Sequence, residues 1–97
     1  MPVRDEILFA NEAFYRAFQE RNFPSMDKAW ATELPLLCIH PGAPPLSERS
    51  HVMASWREVL VHEGCPDLDY QLDRVIQHGE LYLVTCYEWT GGGQMRR

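Results

Sequence analysis

The sequence predicts an α+β domain, with helices segregated on one face of an antiparallel sheet. Three observations predict it. Apolar residues recur at steps of three and four from Ile7 to Phe18, which is helical spacing. The same spacing returns between Val52 and Leu60. After Cys65-Pro66 the period changes to two and holds on both sides of a glycine-containing turn.

In the first helix, spanning residues 4–20, Ile7, Ala10, Phe14 and Phe18 share one face, which Leu8 and Tyr15 widen. Asp5 and Glu6 in its first turn suit the positive end of the helix dipole. Arg21-Asn22-Phe23-Pro24 breaks that pattern. Asn22 suits an N-cap and Pro24 a first turn, so a second short helix runs to about Ala31, with Met26, Ala29 and Trp30 as its apolar stripe. Beyond Pro35, Leu36 to His40 is a short strand with Leu36, Cys38 and His40 on one face and Leu37 and Ile39 on the other. The proline-rich PGAPPL that follows cannot be regular structure. Ser47 then caps a third helix carrying Val52, Met53, Trp56, Val59 and Leu60, with Gly64 as its terminator.

The period-two region is a hairpin. On its first strand Leu68, Tyr70, Leu72, Arg74 and Ile76 are expected on one face, and Asp67, Asp69, Gln71, Asp73 and Val75 on the other. Gly79-Glu80 supplies the tight turn. The returning strand, Leu81 to Thr90, is apolar on both faces, which places it inside a sheet or in an interface; Glu88 is the odd charge beside Val84 and Cys86. The order is helix, helix, strand, helix, strand, strand.

Composition narrows the function classes. The 97 residues carry 9 Lys+Arg against 14 Asp+Glu, a net charge of −5, and are read as one domain. This acidic balance offers nothing to phosphate backbones, so no nucleic acid is expected as a partner. No apolar run approaches the roughly 20 residues of a membrane span, and the acidic N-terminus is not a signal peptide. Cys38, Cys65 and Cys86 are widely spaced without a CxxC pair, which fits reduced thiols and a cytoplasmic location.

Among residues that carry chemistry, His40 stands out. An imidazole with a pKa of about 6.5 gives or takes a proton near neutral pH; the competing reading is a histidine that only hydrogen-bonds at a strand end. Trp30, Trp56 and Trp89 read as core, or as pocket walls. Glu88 reads as a pocket carboxylate, an interface ion partner or an edge charge, and Arg74 as snorkelling to solvent, the alternatives being a pair with Glu88 or with an anionic ligand. Cys38 and His40 share a strand face, and His51, His62 and His78 are present, but none has zinc-like paired spacing, so no metal is expected. Cys38 is expected to point parallel to His40 rather than at it, which argues against a Cys-His nucleophile. Gly91-Gly92-Gly93 lacks the lysine and hydroxyl of a phosphate loop.

Four stretches in this order resemble the SnoaL-like and ketosteroid-isomerase-like members of the nuclear transport factor 2-like superfamily: ANEAFYRAFQERNFPSMDKAW, CIHPGAPPL, SHVMASWREVL and the hairpin ending YEWTGGG. The resemblance covers nearly the whole chain. It implies a cone-like α+β fold, a curved sheet around a helix-lined pocket, and a homodimer through the sheet. In the ketosteroid isomerases the position matching His40 holds the proton-transfer base. The tyrosine of their oxyanion-binding pair aligns with Phe14 rather than Tyr15, and their protonated acid lies on a later strand. Steroid isomerase activity is therefore not implied. The family usually continues with two further strands, so the chain is expected to be a C-terminally incomplete version of the domain; the alternative is a partner chain that supplies the missing edge to Leu36–His40.

The resulting expectation is a small-molecule pocket protein. His40 would be its catalytic residue, and Phe14, Tyr15, Phe18, Trp30, Cys38, Trp56 and Glu88 would line the pocket. The ligand would be a small apolar organic molecule, and the chemistry acid–base, of isomerase, cyclase, dehydratase or hydrolase type, without a cofactor. The alternative is a non-catalytic dimerisation or ligand-binding module of the same fold.

Overall fold

A computed structural model describes residues 3–90; the glycine run and everything after it, including the expectation about further strands, lie outside the described residues. Three helices, α1 (Val3–Gln19), α2 (Phe23–Ala29) and α3 (Arg49–Val61), precede two strands, β1 (Leu68–His78) and β2 (Leu81–Thr90), paired antiparallel. The α+β class is as the sequence predicts.

The ends of the helices show why the chain turns where it does. At the close of α1 the Asn22 N–H donates to Ala17 O and the Arg21 N–H to Phe18 O, with Arg21 left-handed at φ 51°. This is the helix-ending motif in which glycine is usual. Arginine there costs on the order of 1 kcal/mol. Its guanidinium offsets that by donating to Cys65 O at 2.7 Å and Asp67 Oδ1 at 3.2 Å, tying the end of α1 to the chain that enters β1. Asn22 caps α2 as predicted, its Oδ1 accepting from the Ser25 N–H at 3.1 Å. Helix α2 ends at Ala29 rather than Ala31, and Arg49 holds the segment beyond it: its two terminal nitrogens donate to Asp27 O, Asp27 Oδ1 and Ala31 O at 2.8–3.2 Å.

Three expectations need correction. The strand over Leu36–His40 is reduced to one bridge pair, Cys38 with Leu46, through Cys38 N–H to Leu46 O and Leu46 N–H to Cys38 O, both 2.8 Å. The prolines around this segment remove the donors a longer ladder needs. Glu48, not Ser47, is the N-cap of α3, and its side chain makes no cap hydrogen bond. In β1 the strict alternation fails at Asp73. Leu72 pairs with Cys86 and Arg74 with Thr85, so Asp73 is an extra residue, a β-bulge. Directly paired residues share a face. Tyr70, Leu72, Cys86 and Glu88 therefore face the same way, and past the bulge Val75 joins them beside Val84. Arg74 and Ile76 move to the opposite face, with Leu83 and Tyr87. The bulge is pinned by the Thr85 hydroxyl, which donates to Asp73 Oδ2 at 2.9 Å. Gly79, at φ +61°, makes the hairpin turn as expected.

The core gathers Ala17 and Phe18 from α1, Met26 from α2, Cys38, and Val52, Trp56 and Leu60 from α3. Met26 and Val52 are completely buried. Replacing Met26 with alanine should lower unfolding free energy by about 2–5 kcal/mol, whereas Phe9→Ala, at a side chain 74% exposed, should change it by less than about 0.5 kcal/mol. Urea unfolding of both variants measures the difference.

Candidate functional site

The chain between α2 and α3 forms one rim of a cavity of about 630 Å³, within the range of small-molecule sites. Helix α1 contributes Phe14 and Phe18, the end of α2 contributes Trp30, and α3 contributes Trp56 and Val59. Cys38, His40 and Pro41 lie on the rim segment, and Glu88, Trp89 and Thr90 close the far side from the end of β2. Seven of the eight residues expected at a site therefore border one cavity. Tyr15 is the exception: it is 5% exposed and stands behind Glu88.

Local sequence explains how His40 reaches this wall. His40-Pro41-Gly42-Ala43 is a β-turn closed by the Ala43 N–H donating to His40 O at 3.0 Å. Proline at its second position presets φ, and Gly42 at φ +76° supplies the left-handed residue that such a turn requires. The bridge pair two residues earlier fixes the incoming chain. The imidazole then packs edge-to-face on Trp56, with ring centroids 4.9 Å apart.

His40 Nε2 lies 2.9 Å from Ser55 Oγ, and the Ser55 hydroxyl donates to Val52 O at 2.6 Å. Because that hydroxyl has a single proton, its oxygen is left to accept from His40 Nε2–H. The network thus assigns the neutral imidazole its proton on Nε2 and leaves Nδ1 as the basic atom. Cys38 Sγ also approaches Nε2, at 3.6 Å, closer than a parallel arrangement of the two side chains suggests. Burial pushes the Cys38 thiol up, against a smaller pull from the nearby Trp56 indole, which keeps it a thiol rather than a nucleophilic thiolate. His40 and Ser55 also border a second cavity of about 400 Å³ with Glu58, His62 and Cys65, so the imidazole stands in the wall between two spaces.

On the far side the Tyr15 hydroxyl donates to Glu88 Oε2. The Tyr15 ring stacks on Tyr70, with centroids 3.9 Å apart and planes 9° from parallel. Asn11 Nδ2 reaches Cys86 Sγ at 3.6 Å. These contacts seat α1 on the inner face of the hairpin and hold the Glu88 carboxylate at the cavity edge. Arg74 lies on the other face of the sheet beside Asp73 and makes no pair with Glu88. The indole N–H groups of Trp30, Trp56 and Trp89 are buried without an acceptor. Among the described residues no three His, Cys, Asp or Glu side chains cluster closely enough to hold a metal ion, and no helix is long and apolar enough to cross a membrane. The three cysteines are free thiols.

Sequence reasoning missed Ser55 and the pairing of Tyr15 with Glu88. Ser55 was open to detection, because it lies three residues after Val52 and one before Trp56 on the buried stripe of α3. The Tyr15–Glu88 contact spans 73 positions and leaves no local signal.

Burial first, and then the Glu88 hydrogen bond, raise the Tyr15 phenol well above its ordinary value of 10.0. A group with a raised folded pKa contributes stability that is fully present below its unfolded pKa and is lost as pH climbs toward the folded one. Unfolding free energy should therefore fall above about pH 10, by up to ~1.4 kcal/mol per pH unit from this group. Tyr15→Phe should flatten that fall. Urea midpoints at pH 9 and pH 11 for the two proteins provide the check.

With this geometry in view, the relatives are informative. The sequence profile of the SnoaL-like domain family matches residues 7–96. Two solved structures superpose with a TM-score of 0.74. One, a "putative calcium/calmodulin-dependent protein kinase type II association domain" from Thiobacillus denitrificans, is 30% identical, and the match covers 91% of this chain and 71% of that one. The other, a "putative dehydratase from the NTF2-like family" of Streptomyces avermitilis, is 28% identical over 95% of this chain and 75% of its own. No curated protein matches. The helix order, the antiparallel hairpin and the profile match agree, and the chain belongs to the SnoaL-like domain family, with the nuclear transport factor 2-like fold.

Proposed function

We propose that the cavity takes a small apolar organic molecule and that His40 moves protons on it. The observation that carries this reading is the His40–Ser55 hydrogen bond on the cavity wall, which occupies Nε2 and leaves Nδ1 basic. Isomerase, cyclase, dehydratase and hydrolase reactions share a step in which a positioned base removes a proton from carbon or oxygen. The likeness to a protein described as a dehydratase supports this class, since loss of water needs a base at one atom and an acid at its neighbour. Aromatic walls suit a cyclic, apolar ligand. The second cavity behind His40 gives the imidazole a route for exchanging its proton with solvent. The free thiols fit the proposed cytoplasmic setting.

Cyclic ketones incubated with the protein in deuterium oxide test this. The expected result is deuterium uptake at the carbon next to the carbonyl, followed by proton NMR, with a rate about 10²-fold lower in His40→Ala. Uptake no faster than in buffer, or equal in the variant, removes the catalytic reading.

A second reading, a homodimerisation module, is favoured by a separate observation. The outer face of the hairpin carries Ile76, Leu81, Leu83 and Tyr87, each 43–59% exposed. An apolar row of this kind on a two-stranded sheet fits an interface of more than roughly 1,000 Å². One of the similar structures is described as an association domain. Light scattering at micromolar concentration should give the mass of two chains, and Leu83→Asp should return it to one. A wild-type protein that remains at the mass of one chain excludes the module.

A further inference from the structure

The charge of the cavity, rather than its shape, points to its ligand. Among the described residues its wall has one acidic side chain, Glu88, and no lysine or arginine. Glu88 Oε2 accepts from Tyr15, and no cation among the described residues pairs with the carboxylate. Around it the wall is aromatic, with Phe14, Trp30 and Trp56 opposite. The Tyr15 phenol is held protonated, so it serves Glu88 as a neutral donor and adds no positive charge. The chain as a whole carries a net charge of −5, which favours approach by cations.

We infer that the ligand of this cavity carries an amine, protonated as an ammonium group, seated against Glu88, with its apolar body among Phe14, Trp30 and Trp56. The inference rests on the small-molecule reading above and deepens it. Three ligand charges can be compared at the same place. An anion meets Glu88 with no compensating cation. A neutral ligand drives water from the carboxylate and returns nothing for the lost hydration. An ammonium group restores the lost interaction by pairing with the free carboxylate oxygen, and gains further from the aromatic walls. The hydrogen bond from Tyr15 fixes the carboxylate so that little side-chain freedom is lost on pairing.

Three probes of the same rigid apolar shape separate the possibilities: adamantanemethylamine, adamantanemethanol and adamantanecarboxylate, titrated calorimetrically at pH 7.5. The expected result is that the amine binds about tenfold more tightly than the alcohol, the order expected of one partly exposed ion pair reinforced by a ring, and that the carboxylate binds more weakly than either. Glu88→Gln should bring the amine to the affinity of the alcohol and leave the alcohol unchanged. Added salt should weaken only the amine in the wild-type protein, a measurement that stands even if the variant does not fold. Equal affinities for amine and alcohol, or a preference that survives Glu88→Gln, overturn the inference while leaving the small-molecule reading intact. If none of the three binds, both fall together.

Discussion

Trp56 is the side chain on which both the packing and the cavity depend. It stands on α3, 6% exposed, and its ring meets four others from three parts of the chain. Phe14 and Phe18 approach it edge-on from α1 at 5.5 and 5.9 Å between centroids and His40 edge-on from the turn at 4.9 Å, while Trp30 lies tilted against it from the end of α2 at 6.4 Å. Edge-to-face pairs of this kind add about 0.5–1.5 kcal/mol each beyond the area they bury. The same contacts fix the direction of the imidazole. Stability and site geometry therefore share one residue, and the buried, unpartnered indole N–H is a cost accepted for that position.

A second constraint sits at the junction between α1 and the hairpin. Two antiparallel strands alone are marginal in water and need a packed face to persist. Here α1 supplies it through the Tyr15–Tyr70 stack, the hydroxyl donated to Glu88 and the Asn11–Cys86 contact. Arg21, at the end of the same helix, reaches the backbone at Cys65 just before β1. One helix thus aligns the hairpin at both its start and its end, and the carboxylate at the cavity edge inherits its position from that alignment. The bulge at Asp73 marks where this alignment ends: before it Tyr70 faces α1, and after it Ile76 is turned to the outer face.

How much of this was legible in the sequence follows from the range of each interaction. The helical stripes of α1 and α3, the Asn22 cap and the turn at Gly79 were legible because spacing and backbone preference are local properties. The turn behind His40 was legible for the same reason, since Pro41 and Gly42 dictate it. Legibility failed where a distant partner decides. The two-residue period of β1 ran through Asp73 without a sign of the bulge, because the extra residue is set by pairing with Thr85 across the sheet. The strand expected over Leu36–His40 shrank to one bridge because a strand is defined by neighbours that its own sequence does not contain. Tyr15 reads from its place on α1 as a pocket-lining residue, whereas its hydroxyl finds a carboxylate 73 positions away.

The two functional readings draw on opposite faces of one hairpin, and this makes them compatible. The inner face meets α1 and, at the end of β2, presents Glu88 to the cavity. The outer face presents Leu81, Leu83 and Tyr87 to solvent. Covering the outer face would stiffen the ribbon and fix the position of Glu88 relative to His40. The acid–base reading requires a fixed distance between the two walls, because a positioned base is effective only when its substrate is held within hydrogen-bond reach. Association through the outer face would therefore act on the cavity through the hairpin itself, without contributing a residue to its lining.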